Sequence, residues 1–323
     1  MLKYAIRRIG IAVLSLIGIS LITFVVFKLL PGDAALVGCN PKAGECTPAA
    51  LAHARHLLGL DRPVWFQYWV FLKGWITLDP VTGDVAWRAF TNTLGLLLGA
   101  IVLEVVVGVW LGMRAVKKAG KFTDWAIKIT SLTIAALPVF LLATVFLQAF
   151  TVEWQPFNLA GVFSEDVAPP ALPFMFEPGY WFGHVMLPTL AIAIGGIGVV
   201  AVVTRESMAE TMRSQFFLGA RARGIPPRSL YWGHGLRAAA TPIVGIVVAD
   251  LGRLLMADVL VEVIWEWPGM GALTLSAVTT RNGPLLAANA ILLGAMVTVL
   301  AAIGDIVQAA IDPRVLAGVE SAA

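Results

Sequence analysis

Of 323 residues, 59% are apolar and only 13% charged, and the formal net charge is just +3. Soluble domains carry about 25% charged residues, so this chain has too few to coat a soluble globule, and its excess apolar surface has to face lipid. Two cysteines exclude a disulfide-dense scaffold and a four-thiolate metal site within the chain.

A helix needs about 20 apolar residues to cross the hydrocarbon core. Six stretches qualify, at Ala5–Leu30, Thr93–Met113, Trp125–Phe150, Phe182–Thr204, Thr241–Val263 and Leu286–Ala309. They predict an all-α polytopic membrane protein with six transmembrane helices. The first stretch opens with Arg7 and Arg8, like a signal-peptide n-region. Its apolar run is too long for an h-region and no small-residue cleavage site precedes Pro31, so it reads as a retained span. After it comes a long segment to about residue 92. Thr47 is placed to cap a short helix that has Pro48 at its first position and runs through His56, with Gly59 and Pro63 to end it. Trp65, Phe66, Tyr68, Trp69, Phe71 and Trp75 then crowd one stretch. Such density suits a helix lying in the headgroup region, or one packed on the outer ends of the spans. His53 and His56 are three apart, but no third ligand joins them at helical spacing, and no metal site is expected. Pro138 in the third span and Pro188 in the fourth are placed to kink those helices.

Orientation follows from the basic residues of the short loops. Arg114, Lys117, Lys118 and Lys121 follow the second span. Arg205, Arg213, Arg221, Arg223, Arg228 and Arg237 follow the fourth. The loop at about 151–181 has no Lys or Arg, only Glu153, Glu165, Asp166 and Glu177. This bias puts both termini and the two basic segments in the cytoplasm. The chain then divides into 1–92, a first span plus an extracytoplasmic segment with short helices, and 93–323, a five-helix core with a cytoplasmic segment at about 205–240. Cys39 and Cys46 both fall on the oxidising side, where a disulfide is expected, two isolated thiols being the alternative.

The segment from Thr204 to Val244 is too long and too charged for a simple turn. Gly219, Ala220, Arg221, Ala222, Arg223 and Gly224 interleave small residues with arginines. Gly224 is placed to end a helix with φ > 0. Pro226 and Pro227 force a break, and Ser229 is placed to cap a second short helix carrying Leu230, Tyr231, His234 and Leu236. In the fifth span, Asp250 and Arg253 stand i, i+3, the spacing of an ion pair on one face. Asp258 lies about two turns further and needs a partner on another helix, or water. Glu104 in the second span and Asp305 in the sixth are further ionisable residues at membrane depth. These five are candidates for a polar translocation path or for structural ion pairs. Trp267-Pro268-Gly269-Met270-Gly271, just beyond the fifth span, reads as a re-entrant or surface turn at the outer mouth, or simply as a tight turn. No G-x-x-x-x-G-K-[ST] loop is present, so the chain gives no sign of a nucleotide site and is not expected to be an enzyme.

Several motifs in order carry a resemblance. Arg7-Arg8 with Leu29-Leu30-Pro31-Gly32-Asp33-Ala34 comes first, then Leu58-Gly59-Leu60-Asp61-Arg62-Pro63 with Gln67-Tyr68, then His184-Val185-Met186-Leu187-Pro188-Thr189. Thr204-Arg205-Glu206-Ser207-Met208 follows, then Ala220-Arg221-Ala222-Arg223-Gly224, His234-Gly235-Leu236-Arg237-Ala238-Ala239 with Pro242, Trp267 to Gly271, and Asp312-Pro313-Arg314. The sequence resembles the permease subunits of binding-protein-dependent ABC importers, in the form found in the dipeptide, oligopeptide and nickel permeases. It departs from that pattern where Leu218 replaces the Glu of the general loop motif, Ala238 an Asn, and Val185 a Leu.

The resemblance implies a type I importer fold and a coupling helix that docks on an ATPase. It assigns Gly219, Ala220, Arg221, Ala222, Arg223, Gly224, Pro226, His234 and Arg237 to that coupling loop. It implies a multi-pass inner-membrane subunit that takes peptides from an extracytoplasmic binding protein. The implied partners are a second homologous permease chain, two ATPase subunits or domains and membrane lipids, with no nucleic acid. No cofactor is implied in this chain, ATP and Mg being bound by the ATPase partners. Nickel-chelate, glutathione or opine uptake are the alternative substrates. A secondary transporter working without an ATPase is the mechanistic alternative, and a membrane enzyme using Asp250 or Asp258 would need a nucleophile or metal that is not apparent.

Overall fold

The computed structural model describes residues 2–29, 47–57, 61–76, 80–153, 178–280 and 283–311. Every regular element among them is helical, the form in which a lipid-exposed chain satisfies its own backbone hydrogen bonds locally. Helix α1 (Leu2–Leu29) is followed by two short helices, α2 (Pro48–Leu57) and α3 (Val64–Ile76). Pro48 opens α2, as expected. On α3, the Tyr68 hydroxyl lies 2.7 Å from that of Ser20 on α1, and the Tyr68 ring meets Phe24 edge-on at 5.4 Å. Trp65 and Trp69 remain exposed. Helix α3 thus packs on a span and leaves these two indoles exposed.

Helix α4 (Pro80–Lys117) is far longer than the second predicted span and runs without interruption across residues 92 and 93. Its main neighbour is α7 (Pro178–Arg213), which continues through Pro188. The two axes come close because α4 presents Gly108 and Gly112 one turn apart. A Cβ on Gly108 would lie 2.7 Å from Val200 Cβ, and one on Gly112 would lie 2.5 Å from the Ala201 carbonyl oxygen. Small residues at this spacing permit tight helix packing in lipid, where no hydrophobic force draws spans together.

The third predicted span is not a single kinked helix. It consists of α5 (Phe122–Ala135) and α6 (Val139–Leu147), the latter extended by a π-helical turn over Gln148–Glu153. The two parts are bent by 95°. Pro138 has no N–H and takes an extended conformation ahead of α6, with ψ 133°, so the helix breaks there outright. By length and composition, α1, α4, α7 and α13 (Gly283–Ile311) are each apolar enough to cross a membrane, and the bent pair makes a fifth candidate. Helix α11 (Ala240–Ile264) has 25 residues, about 37 Å at 1.5 Å per residue. It matches the fifth predicted span, Thr241–Val263, and carries Asp250, Arg253, Asp258 and Glu262. It nevertheless sits among the spans. Leu254, Ala257 and Val261 join Leu96, Leu97, Ile192 and Met270 in one buried core. Met270 belongs to α12 (Met270–Thr279), which packs against α4, α11 and α13.

Candidate functional site: an exposed helical handle and a polar seam along one span

Between α7 and α11 the chain forms the helix–break–helix that its sequence suggested. Ser214 caps α8 (Gln215–Ala222), its hydroxyl accepting from the Phe217 N–H at 3.3 Å. Gly224 ends the limb at φ +75°, the left-handed conformation that glycine adopts without strain. Pro226 then precedes α9 (Pro227–Ser229), which passes through a π-helical turn (Leu230–Gly235) into α10 (Leu236–Ala238) and so to α11. The second limb therefore begins three residues earlier than expected. Ser229 lies inside it with helical dihedrals and makes no side-chain cap; the fixed φ of Pro227 at the first helical position starts the limb instead.

Phe217, Ala220 and Leu230 are buried together and lock the limbs to one another, with Tyr231 edge-on to Phe217 at 5.7 Å. Ala220 thus faces its own chain. Phe216, Leu218, Gly219, Arg221, Ala222 and Arg223 remain exposed. His234 and Arg237 are exposed as well, and His234 Nδ1 lies 3.3 Å from the Ser229 carbonyl oxygen. Lys117, at the end of α4, sits over the rings of Tyr231 and Trp232, at 5.4 and 5.3 Å from their centroids. Arg205 on α7 makes a two-pronged contact with Asp124 on α5, from Nε to Oδ1 at 3.0 Å and from Nη2 to Oδ2 at 2.8 Å. Asp124 Oδ2 also accepts from the Gly120 N–H at 3.0 Å. Arg205 was legible as part of a motif, but Asp124 carried no signal in the sequence.

The second feature runs along α11. Arg253 Nε donates to Asp250 Oδ1 at 2.6 Å, the pair that the i, i+3 spacing predicted. The structure adds Glu104 from α4, whose Oε2 lies 3.8 Å from Arg253 Nη2. Room for the three charged groups comes from α7: a Cβ on Gly196 would overlap the Glu104 carboxylate and lie 2.7 Å from Arg253 Nη2. Asp258 is not part of this group. Eight residues at 3.6 per turn leave it rotated by roughly 80° from Asp250. It is 0% exposed, and neither of its carboxylate oxygens has a hydrogen-bond partner among the described residues. Asp305 is not part of it either. It pairs with Arg8 at 3.0 Å and ties α13 to α1.

A third polar group, around Glu262, had no forewarning in the sequence. Thr93 Oγ1 donates to Glu262 Oε1, and the Gly271 N–H donates to Glu262 Oε2, both at 2.6 Å. Thr93 also accepts from the Met270 N–H at 2.8 Å. Asn92 Nδ2 donates to the Pro268 carbonyl at 2.9 Å, and Asn289 Nδ2 to that of Met270 at 2.7 Å. The Trp267–Gly271 stretch is thus a tight turn strapped from α4, α11 and α13. A Cβ on Gly269 would overlap the Glu262 carboxylate, and one on Gly271 would lie 2.6 Å from the Val259 carbonyl oxygen. His53 and His56 are exposed on α2, and among the described residues no cluster of His, Cys, Asp and Glu is arranged to hold a metal. Cys39 and Cys46 lie outside the described residues.

The arrangement can do two things: offer a rigid, partly cationic helix to another protein, and hold charge at membrane depth. The family model described as the inner-membrane component of binding-protein-dependent transport systems matches residues 104–317, and the corresponding N-terminal model matches residues 1–90. The chain is 27% identical to a dipeptide transport system permease of Escherichia coli K12 and 28% identical to a di/tripeptide transport system permease of Pseudomonas aeruginosa. It is 26% identical to a dipeptide transport system permease of Alkalihalophilus pseudofirmus. Each similarity covers 98% of this chain and 99% of the relative. The chain, a polytopic all-α membrane protein with this handle between its core helices, belongs to the family of inner-membrane components of binding-protein-dependent transport systems.

Proposed function

We propose that this chain is one of two homologous permease subunits of an ATP-driven importer, and that the pair forms the path for peptides handed over by an extracytoplasmic binding protein. The observation that carries this reading is the handle. Helix α8 is exposed along Phe216, Leu218, Gly219, Arg221 and Ala222 yet fastened underneath by Phe217 and Ala220, and it runs through α9 and α10 into α11. A surface that is apolar, cationic and rigidly joined to a span suits docking on a partner that moves. Arg221, Arg223, His234 and Arg237 line the exposed side and Pro226 stiffens the return.

ATP and Mg belong to separate ATPase subunits, two per importer. The peptide substrate is inferred from relatives that carry that description along almost their whole length. The same reading has six crossings, α11 among them, and both termini in the cytoplasm beside the basic residues of the α4–α5 turn and the handle. Residues 1–92 hold the first crossing with its extracytoplasmic segment and 93–323 the permease core, with α4 running through the boundary. Copurification tests the reading. The tagged chain should bring down a second permease chain and ATPase subunits, and vesicles containing the complex should take up a labelled dipeptide only with ATP and binding protein. Uptake by the single chain without ATP would replace this reading with that of a secondary transporter.

A further inference from the structure

Glu104, Asp250 and Arg253 form a group with one cation for two carboxylates, set about halfway along α11. Arg253 has its side chain 40% exposed and Asp250 13%, whereas that of Glu104 is 1% exposed. A half-exposed guanidinium facing hydrocarbon at this depth is costly, so this face of α11 belongs toward a path or partner. Arg253 is committed to Asp250 through Nε and Nη2. Behind it, neither carboxylate oxygen of Glu104 accepts a hydrogen bond among the described residues, and Arg253 Nη2 at 3.8 Å is its recorded ionic neighbour. A buried carboxylate without a hydrogen bond is an expensive state. Arg253 Nη2 therefore has a second acceptor waiting about one ångström beyond hydrogen-bonding reach. The missing side chain at Gly196 keeps that space open.

From this juxtaposition we propose that Glu104, Arg253 and Asp250 form an ammonium-binding site for the transported substrate, worked by partner exchange. When a substrate ammonium reaches Asp250, Arg253 turns inward to Glu104, and Asp250 is released to pair with the incoming cation. Two carboxylates then face two cations, and the buried oxygens of Glu104 gain their hydrogen bonds. The ligand class is a primary ammonium, in a peptide its N-terminus. A free carboxylate would meet a group that already carries an excess negative charge. The inference rests on the peptide reading above and specifies which end of the peptide this chain handles.

The test uses the whole importer, reconstituted with its ATPase, second permease chain and binding protein, with uptake normalised to assembled complex. The probe is a labelled dipeptide with a free amino terminus. Asp250→Asn should lower maximal uptake by about tenfold or more, with little change in the half-saturating concentration set at the binding protein. Asp250→Glu should restore most of it, and Glu104→Gln should also lower it, because the exchange loses its inner acceptor. The triple variant Glu104→Gln, Asp250→Asn and Arg253→Gln separates this from structural ion pairing. A cluster that serves only packing regains uptake once all three charges are gone, whereas an ammonium site stays defective. Recovery in the triple variant, or wild-type uptake by Asp250→Asn, overturns the site and leaves the peptide reading standing. Failure of the wild-type importer to take up any peptide overturns both.

Discussion

Thr93 and Glu262 stand 169 positions apart and share a hydrogen bond of 2.6 Å, buried between α4 and the end of α11. With the Gly271 N–H on its other oxygen, Glu262 holds the turn that leads into α12. Replacing it by alanine strands the Thr93 hydroxyl and the Gly271 N–H in a dry site. At roughly 1–3 kcal/mol for each buried group left unpaired, Glu262→Ala should cost about 2–6 kcal/mol. Thr93→Ala leaves Glu262 Oε1 and the Met270 N–H unpaired and should cost a similar amount, about 2–6 kcal/mol. Thermal melting of the purified complex checks both; equal melting of Glu262→Ala and wild type would remove the strap from the stability of the fold.

Gly224 closes the handle at φ +75°. A β-branched residue there costs roughly 1–2 kcal/mol in local strain and turns the connection away from Pro226. Gly224→Val should leave the spans inserted at normal amounts while lowering uptake, together with either ATPase copurification or substrate-stimulated hydrolysis. Unchanged uptake with unchanged association would reduce the handle to an anchor of topology.

The Asp250–Arg253 pair should show strong coupling in stability. Arg253→Gln alone leaves two carboxylates without their cation and, with the guanidinium partly screened by its exposure, should cost about 1–3 kcal/mol. Adding Asp250→Asn should recover part of that loss. Additive losses in yield of assembled complex would show that the two side chains act independently.

Asp124 joins α5, the Gly120 turn and α7 through Arg205. Hydrogen bonds to charged groups are worth about 1.5–3 kcal/mol, so Asp124→Ala should lower the melting temperature measurably. A second substitution, Arg205→Gln, should then add little. A full additional loss from the second change would contradict the clamp.

Cys39 and Cys46 fall in a segment that the charge distribution assigns to the oxidising side. A disulfide between them predicts that an impermeant maleimide labels neither until reductant is added. Equal labelling with and without reductant would show two free thiols.

The sequence was most informative about properties that repeat along a single helix. Apolar runs located α1, α11 and α13 closely, and the positions of Gly224 and Pro226 announced the break in the handle. The i, i+3 spacing of Asp250 and Arg253 announced their pairing. Each of these depends on the pitch of one helix or on the backbone preference of one residue. What could not be read was which helices face one another, and at what rotation. Glu104 gave no hint that it would stand behind Arg253, nor Asp305 that it would meet Arg8, nor Glu262 that it would find Thr93 from α4. Such partners depend on the mutual register of whole spans. That register follows from where small residues such as Gly108, Gly112 and Gly196 let backbones approach, and the close approach brings together side chains far apart in the chain.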